Sequence, residues 1–220
     1  MKFDKNEFSI FIFLDKLKDQ GVILDVGANI GITAQVFCEK RNFEIKAFEP
    51  VKSNYDVLHR VKRLKRLSNL EILPFALGAE KGFVEMVMPI NNGVIQQGLS
   101  HIIDKDSKQG SHEGIFYKVQ IERLDDIVDT LNLSKNISGI KIDVEGFEYD
   151  VLLGALKTLG RHRPIIHIEL WERGSSIKCL SLLHEQNYSV FGMKKKQLIL
   201  VSEYQNFKSM SSNNFICIPN

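Results

Sequence analysis

Short β-branched runs alternate with helix-period segments along almost the whole chain, and that alternation most constrains what it can fold into. Val22-Ile-Leu-Asp-Val26, Glu44-Ile-Lys-Ala-Phe48 and Leu70-Glu-Ile-Leu-Pro-Phe75 read as buried strands. Between them apolar residues recur at the helical period: Ala34, Phe37 and Cys38 after Gly31, then Val57, Val61 and Leu64 after Pro50. The second half repeats the scheme. A helix through Leu124, Ile127, Val128 and Leu131 precedes the strand Ile140-Lys-Ile-Asp-Val144. One helix then carries Val151, Leu152, Ala155, Leu156 and Leu159 on one face, ending near Gly160. The strand Ile165-Ile-His-Ile-Glu-Leu170, a helix through Ile177, Leu180 and Leu183, and strands near 188–191 and 215–218 follow. Such spacing predicts an α/β fold over 1–220 as a single domain, an open, mostly parallel, doubly wound sheet with helices on both faces. Residues 77–121 depart from the alternation. Two strands there, 83–88 and 117–121, predict an antiparallel insertion between the third and fourth strands of the sheet. The polar stretch 90–115, with Gly93, Gly98 and Gly110, is expected to form a lid or binding loop near the carboxyl edge, where doubly wound sheets take their ligands.

Length and composition agree with one domain. The chain of 220 residues is long enough for one substantial core and short for two. Its 29 Lys and Arg against 27 Asp and Glu leave a net charge of +2, so no nucleic-acid partner is expected. The apolar run Ser9-Ile-Phe-Ile-Phe-Leu14 is too short to cross a bilayer and is flanked by Asp4, Glu7 and Asp15. Cys38, Cys179 and Cys217 are odd in number and far apart, which points away from a disulfide scaffold and toward the cytoplasm. The basic run from His59 to Arg66 is a phosphate patch or, with Val61 and Leu64 interleaved, the solvated face of an amphipathic helix; the second is the simpler reading. Lys194-Lys-Lys196 reads as a charged hairpin turn.

Asp25-Val-Gly-Ala-Asn-Ile-Gly31 follows the first strand and opens a helix. Gly27 permits a sharp turn and Gly31 a close approach of helix and strand. Glu49 ends the second strand, placed to accept hydrogen bonds from both hydroxyls of a ribose. A dinucleotide fingerprint carries a glycine where this loop has Asn29, and Asp25 sets a negative charge that suits an ammonium group better than a phosphate. S-adenosylmethionine, with an amino acid end, a sulfonium and no phosphate, fits these residues better than a nicotinamide dinucleotide. A second signal is Ile140-Lys-Ile-Asp-Val-Glu-Gly-Phe-Glu148. Asp143 and Glu145 fall at the carboxyl end of the fourth strand, and Glu169 ends the fifth in the same way. Lys141 and Asp143 share one strand face, so an ion pair between them is the simplest structural role for both. Glu148 belongs to the first turn of the next helix, where a carboxylate suits the dipole.

Taken together, Asp25-Val-Gly-Ala-Asn-Ile-Gly31, Phe48-Glu-Pro50, Leu124-Asp-Asp126, Lys141-Ile-Asp-Val-Glu-Gly-Phe-Glu148, Val151-Leu-x-Gly-Ala155 and Pro164-x-x-x-x-Glu169 resemble the FkbM-type methyltransferases, in order and spacing, over about residues 20–219. The resemblance implies a Rossmann-like class I fold with a seven-stranded sheet and S-adenosylmethionine as methyl donor. It also implies O-methylation of a hydroxyl on a sugar, glycolipid or polyketide-type small molecule. The family's donor site falls on Asp25, Gly27, Ala28, Asn29, Gly31, Glu49 and Pro50, with Ala76 and Asp143 completing it. The signature at the fourth strand falls on Lys141, Asp143, Glu145 and Gly146. Little chain precedes the first strand, so an N-terminal substrate cap is expected to be missing or reduced.

Other chemistries fit less well. Methylation of adenine or cytosine amino groups wants adjacent prolines after the fourth strand, and carbon-5 methylation of cytosine wants a nucleophilic cysteine there; neither is present. Ribose 2′-O-methylation of RNA remains an alternative, although the fifth strand ends in Glu169 and not in lysine. A nicotinamide-dependent oxidoreductase is the other alternative. The acceptor's proton needs a general base, for which Asp143, Glu145, Glu169 and His101 are the candidates. A divalent cation such as magnesium, held by Asp143 and Glu169, would serve the same end, and the residues alone do not decide it. A homo-oligomer is left open.

Overall fold

In the computed structural model, residues 5–91, 94–95, 101–102, 114–131, 133, 135–171, 174–194, 197–202, 207, 210 and 212–220 are described. The first of the expected strands, β1 (Gly21–Val26), lies between β2 (Phe43–Phe48) and β9 (Ile137–Ile142), parallel to both. Beyond β2 lies β3 (Leu70–Leu73), and beyond β9 lies β10 (Ile165–Glu169), again parallel. Three antiparallel strands finish that side in the order β13 (Asn214–Pro219), β11 (Tyr188–Lys194), β12 (Gln197–Leu200). The sheet thus has eight strands where seven were expected. The extra one, β12, hairpins back on β11 with Lys194 opposite Gln197, as the basic turn suggested; Lys195 and Lys196 lie outside the described residues.

The chain reverses its direction of travel across the sheet between β1 and β9, so their carboxyl ends open a crevice. Side chains alternate across β1. Val22, Leu24 and Val26 join the core on one side, with α4 (Leu124–Ile127), α5 (Glu148–Leu153), α6 (Leu156–His162) and α7 (Gly174–Glu185). Ile23 joins the core on the other side, with α1 (Lys5–Lys16), α2 (Ile32–Cys38) and α3 (Lys52–Lys65). The apolar run at 9–14 belongs to α1, whose Phe13 and Leu14 are buried there.

The expected insertion is present as a second sheet. In it β4 (Ala76–Leu77) pairs with β8 (Gly114–Glu122), and β8 is antiparallel to β5 (Gly82–Asn91). Two short pieces, β6 (Val94–Ile95) and β7 (His101–Ile102), also pair with β5. Most of the stretch expected to act as a lid (residues 92–93, 96–100 and 103–113) lies outside the described residues.

Three helical readings need correction, one of them Leu64, set by its spacing on the apolar face of α3 with Val57 and Val61 but exposed. The single helix expected over 151–159 is broken at Gly154–Ala155 into α5 and α6. A Cβ on Gly154 would stand 1.9 Å from the Gly78 carbonyl oxygen, and the Gly154 carbonyl accepts a hydrogen bond from the Asp125 amide. Asp125 also accepts from the Lys157 and Thr158 amides, starting α6 as a separate helix. Ile177, placed on the buried face of α7 by its spacing, is exposed, whereas Leu180 and Leu183 are buried.

Candidate active site

A cleft of about 470 Å³ opens over the carboxyl ends of β1, β2, β9 and β10. Its floor is the loop between β1 and α2. Gly27, Asn29 and Gly31 all adopt positive φ there (78°, 51° and 86°), so the chain doubles back tightly. A Cβ on Gly27 would lie 2.0 Å from the Asp143 carbonyl oxygen; this glycine lets the loop touch the end of β9. Gly31 does a different job from the one expected. A Cβ there would meet Leu58 Cδ1 at 2.1 Å, so its bareness admits α3, not the strand.

The loop's own amides are all engaged. Those of Gly27 and Ala28 donate to the Phe48 carbonyl, and that of Asn29 to Glu49 Oε2 at 2.8 Å. The Ile30 amide donates to Asn29 Oδ1, and the Gly31 amide to the Ala28 carbonyl. Glu49, nearly buried, also accepts from the Val51 amide at 2.9 Å and from Asn54 Nδ2 at 3.4 Å. Burial raises its pKa, with these bonds pulling the other way. A carboxylate has about four acceptor sites, so room remains for one further donor and not for the two ribose hydroxyls expected from the sequence. Ala28, Asn29, Glu49, Pro50 and Ala76, expected at a donor site, line the cleft.

Asp25 does not. Its carboxylate is fully buried, and its Oδ1 lies 3.3 Å from Lys141 Nζ. Its side chain falls on the α1–α3 face of the sheet, beneath the cleft, so the expected place facing an ammonium group is taken by an internal ion pair. Lys141 also stands 3.3 Å from Asp143 Oδ2 and donates to the Gly27 carbonyl at 2.9 Å. The ammonium therefore ties the donor-side loop to the acidic end of the cleft. Burial opposes its charge, but the charges of Asp143 and Asp25 outweigh that and raise its pKa.

Asp143, Glu145 and Glu169 come together at the far end, with one oxygen of each within 4.8 Å of the others. Glu145 adopts φ 56°, a left-handed turn that aims the chain back after β9. Burial pushes Asp143 up, yet Lys141 and a hydrogen bond with Glu169 outweigh it and hold the carboxylate below its ordinary pKa. Glu169 is pushed up to about 8 by burial and then by the neighbouring charge of Asp143. Near neutral pH this arrangement favours one proton shared by the pair. Oxygen ligands at this spacing belong to the class that hard cations take and equally suit a shared proton.

His101 is the fourth candidate base. Its backbone pairs with Val87 next to Met86, a cleft residue, while its side chain lies outside the described residues. Sequence reading missed Asn54, Met86, Phe147 and Ile32, all lining the cleft. Asn54 carried a signal, a polar residue at a buried helical position, whereas Met86 reaches the site only through the fold of the insertion. Trp171, the chain's single tryptophan, stands two residues beyond Glu169 with 43% of its surface exposed; its carbonyl accepts a hydrogen bond from Ser176 Oγ.

Comparison with known proteins follows the same residues. A model of the methyltransferase FkbM domain matches residues 25–190. Methyltransferase 1 of Beauveria bassiana is 28% identical over 164 residues, covering 65% of this chain and 64% of that protein. Methyltransferase sdnD of Sordaria araneosa is 26% identical over 192 residues, covering 76% and 73%. Among solved structures, methyltransferase FkbM from Methylobacillus flagellatus superposes with a TM-score of 0.60 at 17% identity, over 93% of this chain and 45% of its own. An rRNA methylase from Streptococcus thermophilus gives 0.53 at 9% identity, over 99% and 96%, a likeness of fold alone. The chain therefore spans less than two thirds of the Beauveria protein and under half of the Methylobacillus one. With its family model, its glycine loop and its class I sheet in agreement, the chain belongs to the FkbM methyltransferase family.

Proposed function

We propose that this chain transfers a methyl group from S-adenosylmethionine to a hydroxyl of a sugar, a glycolipid or another small natural-product acceptor. The observation that carries the donor is the amide inventory of the loop. Phosphate cradles present unpaired backbone amides, and here every amide from Gly27 to Gly31 already donates within the protein. Among the described residues the cleft holds one Lys or Arg, Lys141, which is buried and committed to Asp25, Asp143 and the Gly27 carbonyl, while four carboxylates line the rest. Such a lining suits a cationic, phosphate-free ligand and disfavours a dinucleotide. When bound, S-adenosylmethionine supplies an electrophilic methyl group. The chain's own work is to hold an acceptor oxygen and remove its proton. Asp143, kept ionised by Lys141, is the base; Glu169, protonated, hydrogen-bonds it and fixes its orientation; Glu145 borders the same space.

Calorimetry with S-adenosylhomocysteine, followed by labelled methyl transfer to a panel of sugar and lipid-linked acceptors, tests both halves. Glu49→Ala is expected to weaken binding by about 1–3 kcal/mol, the size of a charge-assisted hydrogen bond. Asp143→Asn is expected to lower turnover by roughly 10²–10⁴-fold with binding nearly intact. A folded protein that ignores S-adenosylhomocysteine would sink the donor; normal turnover in Asp143→Asn would sink the base.

A further inference from the structure

The far end of α3 carries a feature that methyl transfer does not use. His59, Lys62, Arg63 and Arg66 recur at the spacing i, i+3, i+4, i+7 and form one stripe along the helix. Arg60 and Ser68 join them around a shallow cleft of about 650 Å³. The stripe runs along one flank of the helix, about a quarter-turn from the face that buries Asn54 and Leu58, with Arg60 and Arg63 on the exposed crest. Five of the chain's 29 Lys and Arg stand between His59 and Arg66 with no Asp or Glu among them. Without these five, the 27 Asp and Glu would outnumber the bases, so the net charge of +2 conceals a polarised surface. Among the described residues none of the five is within ion-pairing distance of a carboxylate, whereas Lys52 at the other end of the helix is neutralised by Asp56 at 2.8 Å. The carbonyls of Lys62 and Arg63 accept the Leu67 and Arg66 amides, closing the end of α3.

We propose that this face of α3 docks on an anionic membrane surface. Three observations select that partner. Every described residue around the cleft comes from one segment, 59–68, so these residues grip a ligand from one side. That suits a broad charged surface better than a small metabolite, which pockets surround. Leu64 stands beside Arg60 on the other flank of the exposed crest with 78% of its surface exposed, an apolar side chain set to enter the acyl boundary while Arg60 and Arg63 meet headgroups. Nucleic acid would want exposed aromatic rings for stacking, but Tyr55, in the same helix, is half-buried with its ring against His59 at 4.4 Å. A helix lying flat on the surface also keeps the donor cleft, at the other end of its roughly 20 Å length, close to the headgroups.

Co-sedimentation of the full chain with vesicles tests this docking, which holds whatever the acceptor proves to be. Vesicles of phosphatidylcholine with about 30% phosphatidylserine are expected to bind the protein, and pure phosphatidylcholine to leave it in solution. Each neutralised charge lowers partitioning about fivefold, so Lys62→Gln/Arg63→Gln/Arg66→Gln is expected to bind about 100-fold more weakly. Leu64→Ser, with every charge retained, is expected to lose about tenfold. All these positions are on the surface, and matching far-ultraviolet spectra and melting curves show the variants folded. Equal binding to both vesicles, or an unchanged triple variant, overturns the proposal. An unchanged Leu64→Ser overturns it too, as does a short RNA that displaces the vesicles at lower concentration.

Discussion

At the end of β10 a carboxyl group keeps its proton into the alkaline range because it is partly buried and Asp143 beside it is already charged. The folded pKa of Glu169, about 8, exceeds its ordinary value of 4.5, so above pH 4.5 the unfolded chain releases this proton more readily than the folded one. Stability is therefore lost as pH climbs toward 8. Glu169→Gln removes that penalty. Its urea midpoint is expected to overtake that of the parent progressively from pH 5 to pH 9. Parallel pH dependences in the two proteins would show that Glu169 ionises normally. The loop at 25–31, Glu49 and the acidic strand ends were all legible from residue type and spacing. The double engagement of Lys141 and the inward turn of Asp25 were not. Period-two alternation assigns a side chain to a face of the sheet, but it does not say what the neighbouring strand offers on that face.

Register supplies that information. Asp25 stands opposite Lys141, and Lys141 opposite His167, so three adjacent strands carry a polar row through the α1–α3 side of the core. Removing one partner of a buried ion pair strands the other charge, so Lys141→Met is expected to cost about 3–5 kcal/mol. Asp25→Asn combined with Lys141→Met is expected to recover a large part of that in denaturant titrations. Additive losses would mean that the two groups do not act as a pair. Most elements announced themselves by period, since a long amphipathic pattern has few other ways to bury its apolar face. The failures came from contacts distant in sequence. Gly154 interrupts an apparently continuous helix because Gly78 and Asp125 meet it there, and β12 exists only because β11 offers it an edge.

Across the whole molecule, two apolar cores flank the sheet, and α1 seals one of them over β10 and β13. Under that seal His167 is buried with its Nε2 2.8 Å from Ser9 Oγ. Burial, and then the charge of Lys141, hold its pKa down to about 3, against 6.5 ordinarily. Below pH 6.5 the unfolded chain takes up a proton that the folded one refuses, so stability falls with pH from there toward 3. His167→Gln is expected to flatten that acid limb in pH-dependent melts; an unaltered limb would assign it to other groups. The single indole of Trp171, two residues past Glu169, has an optical consequence. Excited beyond the absorption of tyrosine, all of the protein's emission comes from one end of β10. With 43% of Trp171 open to solvent, that light is expected to be red-shifted and quenched by iodide. Saturating S-adenosylhomocysteine should turn it bluer and shield it, and an unmoved spectrum would place the ligand away from the carboxylates.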